Sequence, residues 1–424
     1  MQHLLHQRLS QHQLQGQALC VAFSGGMDSS LLLSLAKDYC QTHATPLSAI
    51  HVHHGLSEHA DAWADFCQQT CDALGVSLQV VHVKPAEQPG PSLENKARAL
   101  RYQAFIQQLQ PDQVLLMAHH QRDQAETLLL RLLRASGSRG LSAMPATRPL
   151  GQGQLLRPLL DQPYAQLKKE AQARQLQWIE DDSNLSTQAD RNFLRLTLLP
   201  QLEARFPKTA QRLAKAAELA AQSERLNQDL AQLDLAQQPQ PQARWLDIPS
   251  LMQLPDYRRI NLLRHWLQMR QIAPPPASAW AAIDKLCQAR ADAQPQVEWK
   301  TDDQNIQARR HRQRLYIETA DYFAPLPHHW QQPWDNQQPI TLGSKIYPLR
   351  LQAKHQPTPT HFTLRARQGG ERLSLPNRGQ RDVKRLLQEL DLPPWERNQL
   401  PFIWHENTLI AVGDQLIAEG WEKR

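Results

Sequence analysis

No hydrophobic run in this 424-residue chain is long enough to cross a bilayer, so a helical membrane-spanning protein is excluded. The opening Met1-Gln2-His3 is polar and lacks the apolar centre of a signal peptide, and a cytoplasmic protein with no membrane partner is expected. Cysteine is sparse. The five present (Cys20, Cys40, Cys67, Cys71, Cys287) are odd in number and lie mostly in apolar runs, which fits a reducing compartment and no disulfide framework. There is no CxxC pair; Cys67 and Cys71, at i, i+4, read as buried side chains of one helix. A net charge of +6 is modest for this length, so only local clustering of charge argues for nucleic acid. No internal repeat at a fixed period is present, and the length exceeds that of one core, so two or three domains are expected.

What is present is concentrated in one short run. Ser24-Gly25-Gly26-Met27-Asp28-Ser29 follows the apolar strand candidate Ala18 to Phe23 and precedes the helical run Leu31 to Tyr39. Two glycines permit a tight turn with uncovered N–H groups, and a helix N-terminus adds partial positive charge, so the run reads as a phosphate cradle. A Walker A loop would need a Lys beside the Ser/Thr, and a dinucleotide fingerprint would need spaced glycines. The pattern resembles instead the loop of the N-type ATP pyrophosphatases, which split ATP between its α- and β-phosphates. The competing reading is an ordinary Gly-Gly turn entering a helix.

Apolar runs then alternate with amphipathic stretches: Ala18 to Phe23, Leu47 to Val52, Leu78 to Val83 and Val114 to Ala118 are expected strands separated by helices. This rhythm predicts a doubly wound, parallel-sheet α/β domain over residues 1–205. In such sheets ligands bind beyond the carboxyl ends of the strands where strand order reverses, and SGGMDS, His53-His54-Gly55 and Ala118-His119-His120 all fall at strand ends. Leucine spacing from Leu213 to Leu233 predicts a long connecting helix that opens a mainly helical middle domain over 206–324. The Pro/His/Trp/Gln-rich segment Pro325 to Pro339 is the expected linker, and a small α+β domain over 340–424 is expected to follow, with one helix at Arg381 to Leu390.

In the run Ala118 to Thr127, Asp123 and Glu126 stand at i, i+3 near a helix start, where they share a face on which a cationic ligand can be held. The helix dipole alone would also favour acids there. His119 is a candidate to act as acid or base or to stabilise a developing negative charge. A zinc site built from His51, His53, His54, His119 and His120 is an alternative, although no Cys or acidic spacing completes a metal pattern. Arg98, Arg191 and Arg195 are candidates for phosphate or intermediate contact, because guanidinium pairs bidentately with phosphate. Positive charge gathers at Arg309-Arg310-His311-Arg312 with Arg314, and again at Arg365, Arg367, Arg372, Arg378, Arg381, Lys384 and Arg385. Trp395 and Trp404 lie near the second group, where an aromatic face would suit an exposed base.

Taken together, SGGMDSS, the run His51 to Leu56, Glu94 with Ala97-Arg98 and Arg101-Tyr102, AHHQRDQAET, and Arg134-Ala135-Ser136-Gly137 closely resemble the tRNA(Ile)-lysidine synthetase family. Arg157-Pro158-Leu159-Leu160, Asp181-Asp182-Ser183-Asn184 and Arg191-Asn192 continue the family's order, and Gly369-Gly370-Glu371-Arg372 with Pro393-Pro394-Trp395-Glu396-Arg397 resemble its terminal domain. Ala135 departs from the Gly common at that position. The resemblance implies ATP-dependent adenylation of the 2-carbonyl oxygen of the wobble cytidine in a CAU-anticodon tRNA(Ile), then attack by free L-lysine to give lysidine with release of AMP. It implies ATP held by Ser24, Gly25, Gly26, Met27, Asp28 and Ser29, with Mg²⁺ or the nucleotide oriented by Asp28. For that reaction Asp123 and Glu126 are expected to bind the incoming lysine with His119 assisting, and the positive charge gathered at Arg372, Arg378, Lys384 and Arg385 is expected to contact tRNA; the resemblance permits a homodimer. Two adenylating alternatives are a tRNA thiolase, which usually relies on CxxC cysteines, and an amidotransferase-linked synthetase, which would want a glutamine-hydrolysing domain. A non-catalytic RNA-binding protein on the same scaffold would not require the loop, the His pair and both carboxylates.

Overall fold

A computed structural model describes all residues except 2, 56–58, 84–92, 181–186, 188, 291–294, 302, 344 and 356, and the side chains of 93–95. Leu56, the Glu94 side chain and the Asp181 to Asn184 motif therefore lie outside the described residues. The chain divides into two compact units, Met1–Asn227 and Gln228–Arg424. No helix among the described residues is long and apolar enough to cross a membrane.

The first unit is built on a six-stranded sheet of β1 (Leu19–Ala22), β2 (Leu47–His53), β3 (Ser77–His82), β4 (Val114–Leu116), β5 (Thr147–Leu150) and β6 (Gly153–Leu156), in the order β3-β2-β1-β4-β6-β5. Strands β1 to β4 and β6 run parallel, and only β5 is antiparallel, to β6. Alternation along the strands feeds two cores, as a sheet covered on both faces requires. Leu19, Val21, Phe23, Val114 and Leu116 pack on one side with the helices α1 (Leu4–Gln11), α2 (Met27–His43) and α3 (Ala60–Leu74). Cys20, Leu115, Met117 and Leu155 pack on the other with Phe105 and Leu109, at the end of α4 (Leu93–Gln108). The chain steps from β1 outward through β2 and β3, then returns to place β4 on the other side of β1. That reversal puts the β1–α2 loop beside the segment leaving β4. The four expected strands are therefore present; β5 and β6 have no counterpart in the sequence reading. Their hairpin needs Gly153, where a Cβ would stand 2.3 Å from the Gln113 carbonyl oxygen.

The leucine-spaced helix runs as one 28-residue helix, Thr209–Ala236. In the second unit, a four-stranded antiparallel sheet of Trp245–Asp247, Arg314–Thr319, Asn305–His311 and Gln296–Lys300 packs on the helices Asp256–Met269 and Trp280–Gln288. Arg314 to Ile317, strand-like in sequence, lies within Arg314–Thr319, and Trp245–Asp247, Gln296–Lys300 and Asn305–His311 add strands to the expected mainly helical region. The segment expected as a linker contributes the strand Gln331–Trp334, which pairs with Phe362–Arg365 in a five-stranded sheet. Trp334, buried against Phe362, supplies the reason that a Pro-rich stretch is ordered here. The terminal helix spans Val383–Glu389, and Arg381 lies on the preceding strand Gly379–Asp382.

The two halves of this unit share a seam. Trp395, 7% exposed, meets Phe323 and Tyr316 edge-on at 5.2 and 5.1 Å between ring centroids, and Arg309 lies over Phe323 and Trp395. Arg312 and Arg314 pair with Asp391 at 2.7 and 3.2 Å, and Arg310 donates to the carbonyl oxygens of Cys287 and Ala289. These contacts correct two readings: the Arg309 to Arg314 group is largely committed within the protein, and Trp395 is a core side chain without a free face for a base. By contrast Arg372, Arg378, Arg381, Lys384 and Arg385 are all exposed, with Arg378 paired to Glu389. Trp404 is half-buried, with Arg365 over its ring at 5.1 Å. Trp395→Ala is expected to destabilise the protein by about 3–5 kcal/mol, read by urea unfolding of the intact chain; an unchanged midpoint would show that the seam contributes nothing.

Candidate active site

The β1–α2 loop is shaped by its own hydroxyls. Ser29 Oγ donates to the Gly26 carbonyl at 2.9 Å, accepts from the Ser24 N–H at 3.3 Å and lies 3.1 Å from Ser24 Oγ. Gly25 is buried with φ +83°, and its carbonyl accepts from the Ile179 N–H at 2.9 Å. Gly26 caps α2 in an extended conformation without a side-chain acceptor, so no side chain caps the first-turn N–H groups and they can receive an anion. Asp28, in that first turn, has Oδ2 at 3.5 Å from His120 Nε2, whereas its Oδ1 is buried without a hydrogen-bond partner.

The segment after β4 starts the helix α5 (Gln121–Leu133) with a capping box. His120 Nδ1 accepts from the Arg122 N–H at 3.2 Å, and Asp123 Oδ2 accepts from the His120 N–H at 2.9 Å. His120 Nε2 is also 3.5 Å from Asp123 Oδ2, so one imidazole stands between the loop and the carboxylates. Asp123 and Glu126 do share a face, and two arginines occupy it. Arg191 bonds Glu126 Oε2 at 2.7 Å and Asp123 Oδ1 at 3.0 Å; Arg195 bonds Glu126 Oε1 at 2.7 Å and Asp123 Oδ1 at 3.0 Å. Glu126 is 0% exposed, and its buried charge is matched by these guanidinium groups. Burial pushes the Asp123 carboxyl up, but His120, Arg191 and His119 with the His120 N–H pull it down to about 2.

Both arginines lie on consecutive helical segments, Asp190–Phe193 and a π-helical stretch Leu194–Leu198, followed by Leu199–Arg205. Pro200 has no N–H to give the preceding turn, and the widened π turn just before it accommodates the loss.

His119 is partly exposed, with Arg157 Nε at 3.2 Å from its Nδ1. Burial holds its pKa down to about 3; Asp123 opposes this, and Arg157, Arg191 and Arg98 reinforce it. Arg98 and Arg148 lie over the Tyr102 ring at 5.3 and 5.0 Å. The structure thus gathers Asp28, His119, Asp123, Glu126, Arg191 and Arg195, with Arg98 close enough to act on His119. Of the other histidines, His51 Nδ1 lies 2.9 Å from the Phe23 carbonyl oxygen and His53 pairs with Asp61, while His54 Nδ1 is buried without a hydrogen-bond partner. No group of three or more His, Cys, Asp or Glu among the described residues is arranged to hold a metal. In sequence His120 figured only in the zinc alternative and Arg157 only in a motif, and Tyr164, whose ring lies beside His120 and Arg122, was not singled out. The strand-end position of Arg157 was the available signal.

A parallel sheet with a glycine loop and an acid pair converging at its switch point defines an ATP-using PP-loop protein, and the PP-loop domain model matches residues 1–202. Models described as the TilS substrate binding domain and the TilS substrate C-terminal domain match 246–316 and 362–424. The tRNA(Ile)-lysidine synthase of Xanthomonas axonopodis pv. citri is 42% identical over 402 residues, covering 94% of this chain and 89% of that protein. That of Pseudomonas putida is 42% identical over 407 residues (93% and 91%), and that of Pseudomonas aeruginosa 41% over 408 (93% and 89%). The chain belongs to the tRNA(Ile)-lysidine synthase family.

The loop geometry separates its two glycines. At Gly25 a Cβ would meet Ile179 Cδ1 at 2.6 Å in a left-handed conformation, whereas at Gly26 the nearest atom is Ser24 Oγ at 3.7 Å. Gly25→Ala is expected to cost about 1–2 kcal/mol, while Gly26→Ala leaves stability unchanged. Thermal unfolding of the two variants side by side is the check, and equal midpoints would refute the distinction.

Proposed function

We infer that this chain is the ligase that forms lysidine: it adenylates the 2-carbonyl oxygen of the wobble cytidine of a CAU-anticodon tRNA(Ile) with ATP, then joins L-lysine at that carbon. The observation that carries the reading is the bridging position of His120, 3.5 Å from both Asp28 and Asp123, which makes the phosphate cradle and the acid pair parts of one site. The chemistry requires such a union. The amide-like carbonyl of cytosine is a poor electrophile; once its oxygen has attacked the α-phosphorus and pyrophosphate has left, that oxygen belongs to AMP and departs when the lysine ε-amine attacks.

In this reading Ser24 to Ser29 hold the ATP phosphates. The unpartnered Asp28 Oδ1 is an oxygen donor suited to the Mg²⁺ that accompanies ATP, an ion that offsets phosphate charge. Asp123 and Glu126 receive the ammonium of lysine in exchange for a guanidinium, so the charge of the pair stays matched. The arginine so released, Arg191 or Arg195, turns to phosphate or the adenylated intermediate, and Arg98 adds to the same field. A lysine with reference pKa ~10.4 spends about 4–5 kcal/mol to lose its proton at pH 7, and carboxylates oppose that loss, so their task is recognition. His119, neutral at physiological pH, suits stabilisation of developing negative charge during adenylation better than proton uptake. Thiolation is disfavoured because all five cysteines are buried, and burial pushes the Cys67 thiol up to about 12.

The test is incubation with ATP, labelled lysine and bulk tRNA, followed by nuclease digestion. Label is expected in one nucleoside and only with ATP; label absent from RNA, or entering without ATP, would overturn the reading. In the same assay Asp123→Asn is expected to raise the lysine concentration needed for half-maximal rate at least tenfold, and an unchanged value would remove lysine from this carboxylate. We further propose that the exposed Arg372, Arg378, Lys384 and Arg385 contact tRNA. Reversing charge at Arg372 and Lys384 together should weaken tRNA binding and flatten its salt dependence, with a fall of about 0.7–0.9 in log–log slope per lost phosphate contact. An unchanged slope would exclude this face.

A further inference from the structure

Arg157 immediately follows β6, the parallel neighbour of β4, and its side chain reaches the segment that leaves β4. It is 3% exposed, and its backbone N–H donates to the Ala146 carbonyl at 2.8 Å. Its guanidinium is fixed at three points: Nε donates to His119 Nδ1 at 3.2 Å, one terminal nitrogen to the Pro145 carbonyl at 2.7 Å, and the other to the Tyr102 hydroxyl at 3.4 Å. Guanidinium is donor-only, so the imidazole nitrogen facing it must present a lone pair. A proton on Nδ1 would set N–H against N–H.

We propose that Arg157 is a positioning residue that presents His119 to the reacting atoms as a neutral ring with its proton on Nε2. The inference rests on the function proposed above for the place of His119 in the reaction, while the tautomer itself rests only on the contacts of Arg157. The charges facing the ring agree with it: Arg157, Arg191 and Arg98 disfavour imidazolium, and Asp123 alone favours it. A ring so held cannot act as a general acid near neutral pH. It donates one hydrogen bond from Nε2, with no reorientation needed, to an oxygen on which negative charge develops. Tyr102 joins the same assembly by accepting from Arg157 while Arg98 and Arg148 lie over its ring.

The experiment is long-range ¹H–¹⁵N correlation on the intact protein labelled with ¹⁵N-histidine, with the His119 signals identified by their loss in His119→Gln. The expected spectrum shows the neutral Nε2–H form unchanged from pH 8 to pH 5. An Nδ1–H tautomer, or a wild-type ring that titrates in that interval, would overturn the proposal. In Arg157→Met the ring should sample both tautomers and its pKa should rise above the wild-type value, while burial, Arg191 and Arg98 still hold it below the ordinary ~6.5. Pyrophosphate release should then fall about 10²-fold, acquire an acid limb, and leave the KM for ATP little changed, whereas Arg157→Lys should restore the flat profile in part. A merely structural arginine would lower the yield of folded protein without adding the acid limb. Should the methionine variant not fold, the wild-type spectrum decides alone. Because that spectrum is read without substrate, a wrong tautomer and a failure to make lysidine are separate outcomes.

Discussion

A glutamate with no exposed surface, bonded through both oxygens to two guanidinium groups, is the interaction on which the rest of the site depends. Glu126 lies on the first turns of α5, and Arg191 and Arg195 lie on a helix far along the chain, so the ion cluster fastens that helix to the sheet's ligand-binding edge. Either charge alone would be prohibitively desolvated there; together they hold each other. Asp123 shares in the cluster and also fixes the capping box, which orients His120 toward Asp28. Loop, histidine and helix are consequently one electrostatic unit.

A second constraint comes from topology. The reversal of strand order between β1 and β4 opens a crevice whose walls are two helix N-termini, those of α2 and α5, each aimed at the same space. Ridges of positive potential therefore come from backbone as well as from Arg98, Arg148, Arg157, Arg191 and Arg195. The field suits a polyanionic ligand, and it adds to burial in keeping His119 uncharged. The carboxylates of Asp123 and Glu126 offset that field on one side, where they pair with Arg191 and Arg195.

Much of this was legible in the sequence where a local rule applied. The continuous apolar runs of β1, β2 and β4 announced buried parallel strands, and the i, i+3 spacing of Asp123 and Glu126 put both acids on one face. The β5–β6 hairpin was not legible: its strands are four residues each, one contains Pro149, and its pairing with β4 is a long-range contact. The partnership of Arg191 and Arg195 with acids some 65 to 72 positions earlier left no local trace either. The Arg309 to Arg314 cluster was misleading because a run of arginines looks alike whether it faces RNA or a carboxylate such as Asp391. Trp334 and Trp395 show the same limit, since burial of an aromatic ring within a Pro-rich stretch is decided by partners distant in sequence.

The stack of Arg309, Phe323, Tyr316 and Trp395 joins the middle and terminal parts of the second unit by side chains drawn from both. A gene interrupted between them would encode a middle region with an uncovered aromatic face and arginines deprived of Asp391. For this chain the terminal region is thus not an accessory to be gained or shed in evolution without cost; substitutions on either side of the stack must be matched on the other.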